Sequence, residues 1–105
     1  MKTAAMLSLA MGLTLGAGAA FAQEITLRSA DIHPDGYPTV DAVKFMGDLV
    51  KERTNGRIAI QVMNNAALGT EKDTIEQTRF GVIDMNRVNS APFNNLVPET
   101  VVFGL

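Results

Sequence analysis

Three separate stretches of the chain carry the polar side chains best suited to binding a small molecule. They are His33 and Tyr37 in the first stretch, Asn64, Asn65 and Glu71 in the second, and Arg87, Asn89 and Ser90 in the third. An arginine can hold a carboxylate through two parallel N–H bonds, while glutamate, asparagine and serine exchange hydrogen bonds with hydroxyl groups. These residue types favour a ligand that has hydroxyl groups and a carboxylate, with Arg87 as the partner of the carboxylate.

His33 is also a potential metal ligand, since it lies between Asp31 and Asp35. A metal site needs three or more ligands that converge on one point. A single histidine in a turn rich in proline and glycine is more often a solvated loop residue. We therefore predict no metal site here.

The residues that common catalytic mechanisms require are missing from the sequence. It contains no cysteine, one histidine, no Gly-x-Ser-x-Gly motif and no glycine-rich phosphate loop. Glu71 and Asp73 share a helical turn but point in different directions, so they do not form an acid–base pair. The sequence predicts a protein with no catalytic residue and no cofactor.

Each candidate binding residue also has a structural explanation, which the sequence leaves open. Tyr37 can stack beneath its loop, and Glu71 is favoured at a helix start by the macrodipole. Arg87 can be a surface charge on an edge strand, and Asn89 is a common turn residue. Arg28, in the middle of a strand, is expected to pair with a nearby acidic side chain.

Strands and helices alternate along the chain to position these side chains. Alternating apolar residues bounded by turn residues predict strands at 23–32, 57–63 and 82–88, and the beginning of another at 101–103. Between them, apolar residues at helical spacing predict a helix from Pro38 to about Thr54.

Local signals define where the helices begin and end. Asn55-Gly56 is expected to end the first helix, because glycine readily adopts the left-handed conformation of a C-terminal cap. Thr70 and Asp73 have the spacing of a capping box, which predicts a second helix that runs to Phe80 and is closed by Gly81. A short helical turn is expected at 93–96.

This order of elements predicts an α/β fold, with a parallel sheet, flanking helices and right-handed crossovers. Ligands of open parallel sheets bind outside the carboxyl ends of the strands. The loops at that edge are 30–37, 64–71 and 87–92, which contain the polar stretches described above. Topology therefore predicts that side chains far apart in the sequence converge on one site.

Composition excludes several classes of partner. Without the first 22 residues the chain has eight basic and eleven acidic side chains, a net charge of −3. Binding of nucleic acid or of an anionic membrane surface needs a basic patch, so neither is expected. The absence of cysteine excludes disulfides, thiol nucleophiles and cysteine-based zinc sites.

Residues 1–22 have the pattern of a cleaved signal peptide. Lys2 gives the positive start, residues 4–15 are apolar, and Ala20-Phe21-Ala22 is a typical peptidase site that leaves Gln23 as the new N-terminus. A transmembrane anchor, the competing interpretation, would need a longer apolar segment and a positive flank. We predict an exported, periplasmic protein.

Two segments of the mature chain have a recognisable pattern. The first is Leu27-Arg28-Ser29-Ala30-Asp31-Ile32-His33-Pro34-Asp35-Gly36-Tyr37-Pro38-Thr39, and the second begins at Leu68-Gly69-Thr70-Glu71-Lys72-Asp73. They resemble the DctP-type substrate-binding proteins of TRAP (tripartite ATP-independent periplasmic) transporters. The similarity continues through residues 81–89 and Pro98-Glu99. It implies a two-lobed periplasmic binding protein of the type II-like class, of which 23–105 would be a partial N-terminal lobe in a truncated chain.

The resemblance also implies a function and a set of ligand-binding residues. The family delivers a captured ligand to the membrane subunits of a TRAP transporter, and the full-length protein is expected to be a monomer. The family's ligand-binding regions map to the Asp31–Tyr37 stretch, to Glu71, and to Asn89 with its neighbour Arg87, and His33 and Tyr37 are the candidates within the first stretch. The His-Pro-x-Gly-Tyr-Pro pattern resembles the branch that binds sugar acids such as uronates, and C4-dicarboxylates are a second class of ligand compatible with the family. Two competing hypotheses are a non-functional remnant of the family and a periplasmic α/β enzyme.

Overall fold

The computed structural model describes residues 23–105. In chain order these residues form β1 (Ile25–Ala30), α1 (Pro38–Arg53), β2 (Ile58–Met63), α2 (Glu71–Arg79) and β3 (Met85–Asn86). Two 3-10 segments follow, Ala91–Asn95 and Pro98–Gly104. No helix within this part of the chain is both long enough and apolar enough to cross a membrane. The predicted signal peptide and its cleavage site before Gln23 lie outside the described residues.

The three strands form one parallel sheet with β1 in the centre, in the order β2-β1-β3. β1 pairs with β2 along its whole length, from Ile25 opposite Ile58 to Ala30 opposite Met63. A parallel pair needs a crossover connection, and α1 and α2 provide one each. The predicted α/β class with a parallel sheet and flanking helices is confirmed.

α1 occupies nearly the predicted span. Pro38 is its first residue, where the fixed φ of proline suits a helix and its missing N–H is not needed. Val40 is completely buried, and Gly47 lies so close to β2 that a Cβ there would be 3.4 Å from the Cβ of Ile60. The helix ends where Asn55 and Gly56 both take positive φ, of 52° and 77°. The predicted end signal is therefore confirmed.

α2 begins with the predicted capping box. The Thr70 hydroxyl accepts from the backbone N–H of Asp73 at 3.3 Å, and the Asp73 carboxylate accepts from the backbone N–H of Thr70 at 2.9 Å. These bonds satisfy N–H groups that have no partner inside the helix. Thr74 and Ile75 then face the interior, at 3% and 5% exposure.

The third strand is much shorter than the predicted 82–88. Only Met85 and Asn86 pair with β1, opposite Ser29 and Ala30. Val82 does not join the sheet, because its N–H bonds the Gln77 carbonyl at 2.8 Å and continues the turn that ends α2.

Within residues 23–105, Arg28 does not form the ion pair expected of it. Its guanidinium donates to the backbone carbonyl of Val82, while the Asp84 carboxylate accepts from the backbone N–H of Arg28 at 2.8 Å. The Asp84 side chain therefore occupies a backbone N–H of β1 at a position where the third strand was predicted to pair. In this part of the chain the Arg28 side chain ties the segment before β3 to the sheet through a backbone carbonyl.

The predicted beginning of a strand at 101–103 is wrong. These residues lie in the second 3-10 segment, Pro98–Gly104. The Thr100 hydroxyl donates to the Val97 carbonyl and approaches the Asn94 side-chain oxygen, both at 2.7 Å, and the Thr100 N–H donates to Val97 at 3.0 Å. Local bonds of this kind favour a turn over an extended strand. The helical turn expected at 93–96 is present as Ala91–Asn95, shifted by two residues at its start.

Candidate functional site

The loops that follow the three strands meet at the carboxyl edge of the sheet and are held together by backbone hydrogen bonds. The Asn65 N–H donates to the His33 carbonyl at 2.8 Å, and the Ala66 N–H donates to the Asp31 carbonyl at 3.2 Å. On the other side of β1, the Arg87 N–H donates to the Ala30 carbonyl at 2.9 Å. The convergence that topology predicted is therefore present in the backbone.

Asp31 is the buried centre of this edge, at 4% exposure. Oδ1 of its carboxylate accepts from the backbone N–H of His33 at 2.9 Å and lies 2.7 Å from the ring Nδ1 of the same residue. Oδ2 accepts from the Thr39 hydroxyl, in the first turn of α1, at 3.1 Å. The carboxylate thus links the end of β1 to both its own loop and the following helix.

The pKa of Asp31 lies below its usual value. Burial alone would raise this pKa, but the bonds from the backbone and ring of His33, the Thr39 hydroxyl and the positive charge of Arg87 outweigh burial. The group is therefore an ionised acceptor near neutral pH, which cannot donate a hydrogen bond.

His33, Tyr37 and Arg87 come together in one cluster. The rings of His33 and Tyr37 stack with centroids 3.8 Å apart and planes 12° from parallel. Arg87 approaches the same stack from the loop after β3, with its Nη1 3.1 Å from Nδ1 of His33 and its Cζ 6.0 Å from the centre of the Tyr37 ring. The guanidinium is at the outer limit of a cation–π distance. The cluster combines a fixed aromatic surface with a positive charge.

Glu71 and Asn89 form a second contact. The Oε1 atom of Glu71, in the first turn of α2, accepts from the backbone N–H of Asn89 at 2.7 Å. Glu71 is half-buried and the Asn89 side chain is exposed. No hydrogen bond in residues 23–105 joins this pair to the His33 cluster, and the two are connected along the backbone through Val88. Glu71 therefore braces the loop that carries both Arg87 and Asn89.

A more exposed network lies beside the first loop. Oδ1 of Asp35 accepts from the Lys44 ammonium at 2.5 Å and from the Asn64 side-chain amide at 3.0 Å. The bond from Lys44, reinforced by Asn64, holds the pKa of Asp35 below its usual value. This network ties the loop after β1 to α1 and to the loop after β2. Asn64, which the sequence suggested as a ligand contact, is engaged within the protein.

Sequence reasoning placed Asp31 in the first ligand-binding stretch and considered it as a metal ligand, but it did not identify its structural role, and it treated Thr39 only as part of a helix start. In the structure Asp31 and Thr39 together position the His33 loop. Within the described residues, no group of three or more histidine, aspartate or glutamate side chains could hold a metal ion. A signal for the role of Asp31 does exist in the sequence, because an aspartate commonly accepts the backbone N–H of the residue two positions further on.

Comparison with known proteins gives this arrangement a family. Residues 29–105 match the sequence model of the family DctP, described as bacterial extracellular solute-binding protein, family 7. The chain belongs to the DctP family. One relative, a solute-binding protein from Chromohalobacter salexigens, is 36% identical over 99% of this chain and 30% of its own length.

Solved structures of TRAP periplasmic solute-binding proteins share both sequence and fold with the described residues. A TRAP periplasmic solute-binding protein from Bradyrhizobium sp. BTAi1, in complex with α/β-D-galacturonate, is 56% identical over 72% of this chain, with a TM-score of 0.68. One from Citrobacter koseri with bound D-glucuronate is 44% identical over 70% of this chain, also at 0.68. This chain spans 25% of each of those two proteins, so it corresponds to a partial lobe of a larger binding protein.

Proposed function

We propose that the protein carrying this chain is a periplasmic solute-binding protein that captures a uronate and delivers it to the membrane subunits of a TRAP transporter. The observation that carries the proposal is the 56% identity to a galacturonate-bound relative over 72% of the chain. The family supports a transport role without catalysis, and the predicted signal peptide supports export. In this proposal residues 23–105 form part of the first lobe, and a second lobe closes over the ligand.

The geometry of the carboxyl edge supports a sugar acid as the ligand. A uronate offers a carboxylate, several hydroxyl groups and an apolar ring face. Arg87 provides a guanidinium fork for the carboxylate, and the stacked rings of His33 and Tyr37 provide a flat surface beside it. The exposed Asn89 amide can both donate to and accept from hydroxyl groups. C4-dicarboxylates have no sugar ring and fewer hydroxyl groups, so fewer of these side chains would contact them.

Glu71 has two roles in this proposal, as a contact for the ligand and as a support for the loop after β3. Because Oε1 is already bonded to the Asn89 N–H, only the other oxygen is available to a ligand hydroxyl. Glu71 would therefore contact the ligand and, at the same time, fix the position of the loop that carries Arg87 and Asn89.

Calorimetric titration of the complete protein tests the proposal. Wild-type protein is expected to bind galacturonate or glucuronate more tightly than succinate. Arg87→Ala should weaken uronate binding by about ten- to a hundred-fold, the loss expected for a hydrogen bond to a charged group. Asn89→Ala loses hydrogen bonds between neutral groups and should weaken binding by about two- to ten-fold. Glu71→Gln, which keeps an acceptor oxygen, should have a smaller effect than Glu71→Ala.

Arg79→Ala is the matched control. Arg79 is exposed in the last turn of α2 and pairs with Glu76 at 2.8 Å, at the end of the helix opposite Glu71. The Arg79→Ala substitution should leave uronate affinity unchanged. Wild-type affinity in both Arg87→Ala and Asn89→Ala would refute the site assignment, and failure of the wild type to bind any uronate would refute the substrate class.

A further inference from the structure

The ring of His33 is held between two charged groups that make opposite demands on the same nitrogen. Nδ1 lies 2.7 Å from Oδ1 of Asp31 and 3.1 Å from Nη1 of Arg87. A carboxylate only accepts hydrogen bonds and a guanidinium only donates them. Nδ1 therefore cannot satisfy both neighbours, and its protonation decides which of them it bonds.

The distances and charges favour a proton on Nδ1. With Nδ1 protonated, the ring donates a short, charge-assisted bond to Asp31. With Nδ1 unprotonated, its lone pair would face an anionic oxygen at 2.7 Å and be repelled by it. Only the longer hydrogen bond from Arg87, at 3.1 Å, would offset this repulsion. An ionised carboxylate has no proton to share with the ring, so a hydrogen bond at 2.7 Å requires the proton to be on Nδ1.

The exposed fractions separate the roles of the two side chains. The Asp31 side chain is 2% exposed, whereas that of His33 is 18% exposed. Within residues 23–105, no hydrogen bond uses Nε2 of His33. The carboxylate is thus hidden from a ligand, whereas the partly exposed ring retains a nitrogen that no hydrogen bond within residues 23–105 uses.

We propose that Asp31 is a positioning residue of the ligand site, which locks His33 in its Nδ1–H tautomer so that the neutral ring offers Nε2 as an acceptor to a ligand hydroxyl. Arg87, 3.1 Å from the other ring nitrogen, places a carboxylate-binding group beside that acceptor. The pair would recognise a hydroxyl and a carboxylate on one molecule. This inference rests on the proposed function and names the chemistry by which that site distinguishes hydroxy acids from plain carboxylates.

Nitrogen-15 NMR of the complete protein tests the tautomer directly. Two-bond ¹⁵N–¹H spectra at alkaline pH distinguish a ring protonated on Nδ1 from one protonated on Nε2, and His33→Gln identifies the His33 signals by their loss. The wild type should show the Nδ1–H pattern, and Asp31→Asn should convert it to a mixture or to Nε2–H. Asp48→Asn, which changes an exposed carboxylate on α1, is the control and should leave the tautomer unchanged.

Binding measurements test whether Asp31 acts through His33. Asp31→Asn and His33→Gln should each weaken galacturonate binding by about two- to ten-fold, the loss expected for a hydrogen bond between neutral groups. The double variant should bind about as weakly as His33→Gln alone, because the ring through which Asp31 acts is already gone. A purely structural role for Asp31 would instead make the two losses multiply, and this would overturn the proposal.

Two further results would also overturn it. One is an Nε2–H ring in wild-type protein, which remains a decisive measurement even where Asp31→Asn does not fold. The other is an unchanged Nδ1–H ring in Asp31→Asn. If the wild type binds no uronate, the proposed function fails, but the spectra still decide the tautomer assignment independently.

Discussion

At the scale of single residues, Asp31 makes stability depend on pH. A carboxyl group with a lowered pKa in the folded state stabilises the fold fully above its unfolded pKa. This contribution disappears as the pH falls through the folded value. The pKa of Asp31 is lowered in this way, because its hydrogen bonds and the charge of Arg87 outweigh the effect of burial.

We therefore expect Asp31→Asn to lower the free energy of unfolding by about 1.5–3 kcal/mol at pH 7. The difference from wild type should shrink as the pH falls below about 4, near the ordinary pKa of an aspartate. Urea unfolding of the complete protein at several pH values measures both. Asp48→Asn, an exposed carboxylate on α1, is the control. A difference that stays constant down to about pH 3, well below that ordinary pKa, would contradict the assignment of stability to the ionised group.

At the scale of elements, the start of α2 connects a local sequence signal to the site. The capping box between Thr70 and Asp73 fixes the first turn of the helix, and that turn carries Glu71. Gly69 precedes it with φ of 109°, and a Cβ there would lie 3.0 Å from the Asp73 carboxylate. Glycine suits this position because other residues rarely adopt this φ, and a Cβ would also crowd the Asp73 carboxylate.

Thr70→Ala should lower the free energy of unfolding by about 0.5–2 kcal/mol, because the Asp73 N–H loses its side-chain acceptor. Hydrogen exchange at the Asn89 N–H should also accelerate, since Glu71, its acceptor, is then held by a looser helix end. Denaturant titration and exchange NMR on the complete protein measure the two effects. Thr70→Ser keeps the hydroxyl and should resemble wild type. Equal behaviour of the alanine and serine variants would rule out the capping contribution.

At the scale of the whole molecule, the described residues bury few apolar side chains and expose many. The buried apolar residues of this part of the chain are Ala30, Val40, Ile75 and Ile83. In contrast, Phe45, Phe80 and Phe103 are 65%, 79% and 76% exposed. Apolar surface exposed on this scale is typical of regions that pack against other structure.

A protein made of residues 23–105 alone should therefore have a low free energy of unfolding and melt without a sharp transition. A core this small contributes little against the conformational entropy of 83 residues. Circular dichroism melting of the isolated segment, beside the complete protein, tests this expectation. A steep melt with well-dispersed amide NMR signals from the isolated segment would show that its own core is sufficient.

The sequence by itself determined the features that depend on neighbouring residues. Pro38 and Asn55-Gly56 set the limits of α1, and the spacing of Thr70 and Asp73 set the start of α2, because these signals act within one helical turn. The alternation of strands and helices was enough to predict a parallel sheet and the edge at which its loops meet. His33, Tyr37 and Arg87 were identified as candidates on that basis, and their mutual contact agrees with it.

Tertiary structure decided whatever depends on a partner distant in the chain. The apolar pattern of 82–88 does not reveal that Val82 bonds the end of α2 or that the Asp84 side chain takes a donor of β1. Nor does the pattern of 101–103 show whether a strand partner is available, and the local bonds of Thr100 favour a 3-10 segment instead. The role of Asp31 is partly of this kind. The sequence offers Asp31 as an acceptor for the nearby His33 N–H, but its burial, its bond from the Thr39 hydroxyl and the approach of Arg87 to the same histidine depend on the folded arrangement.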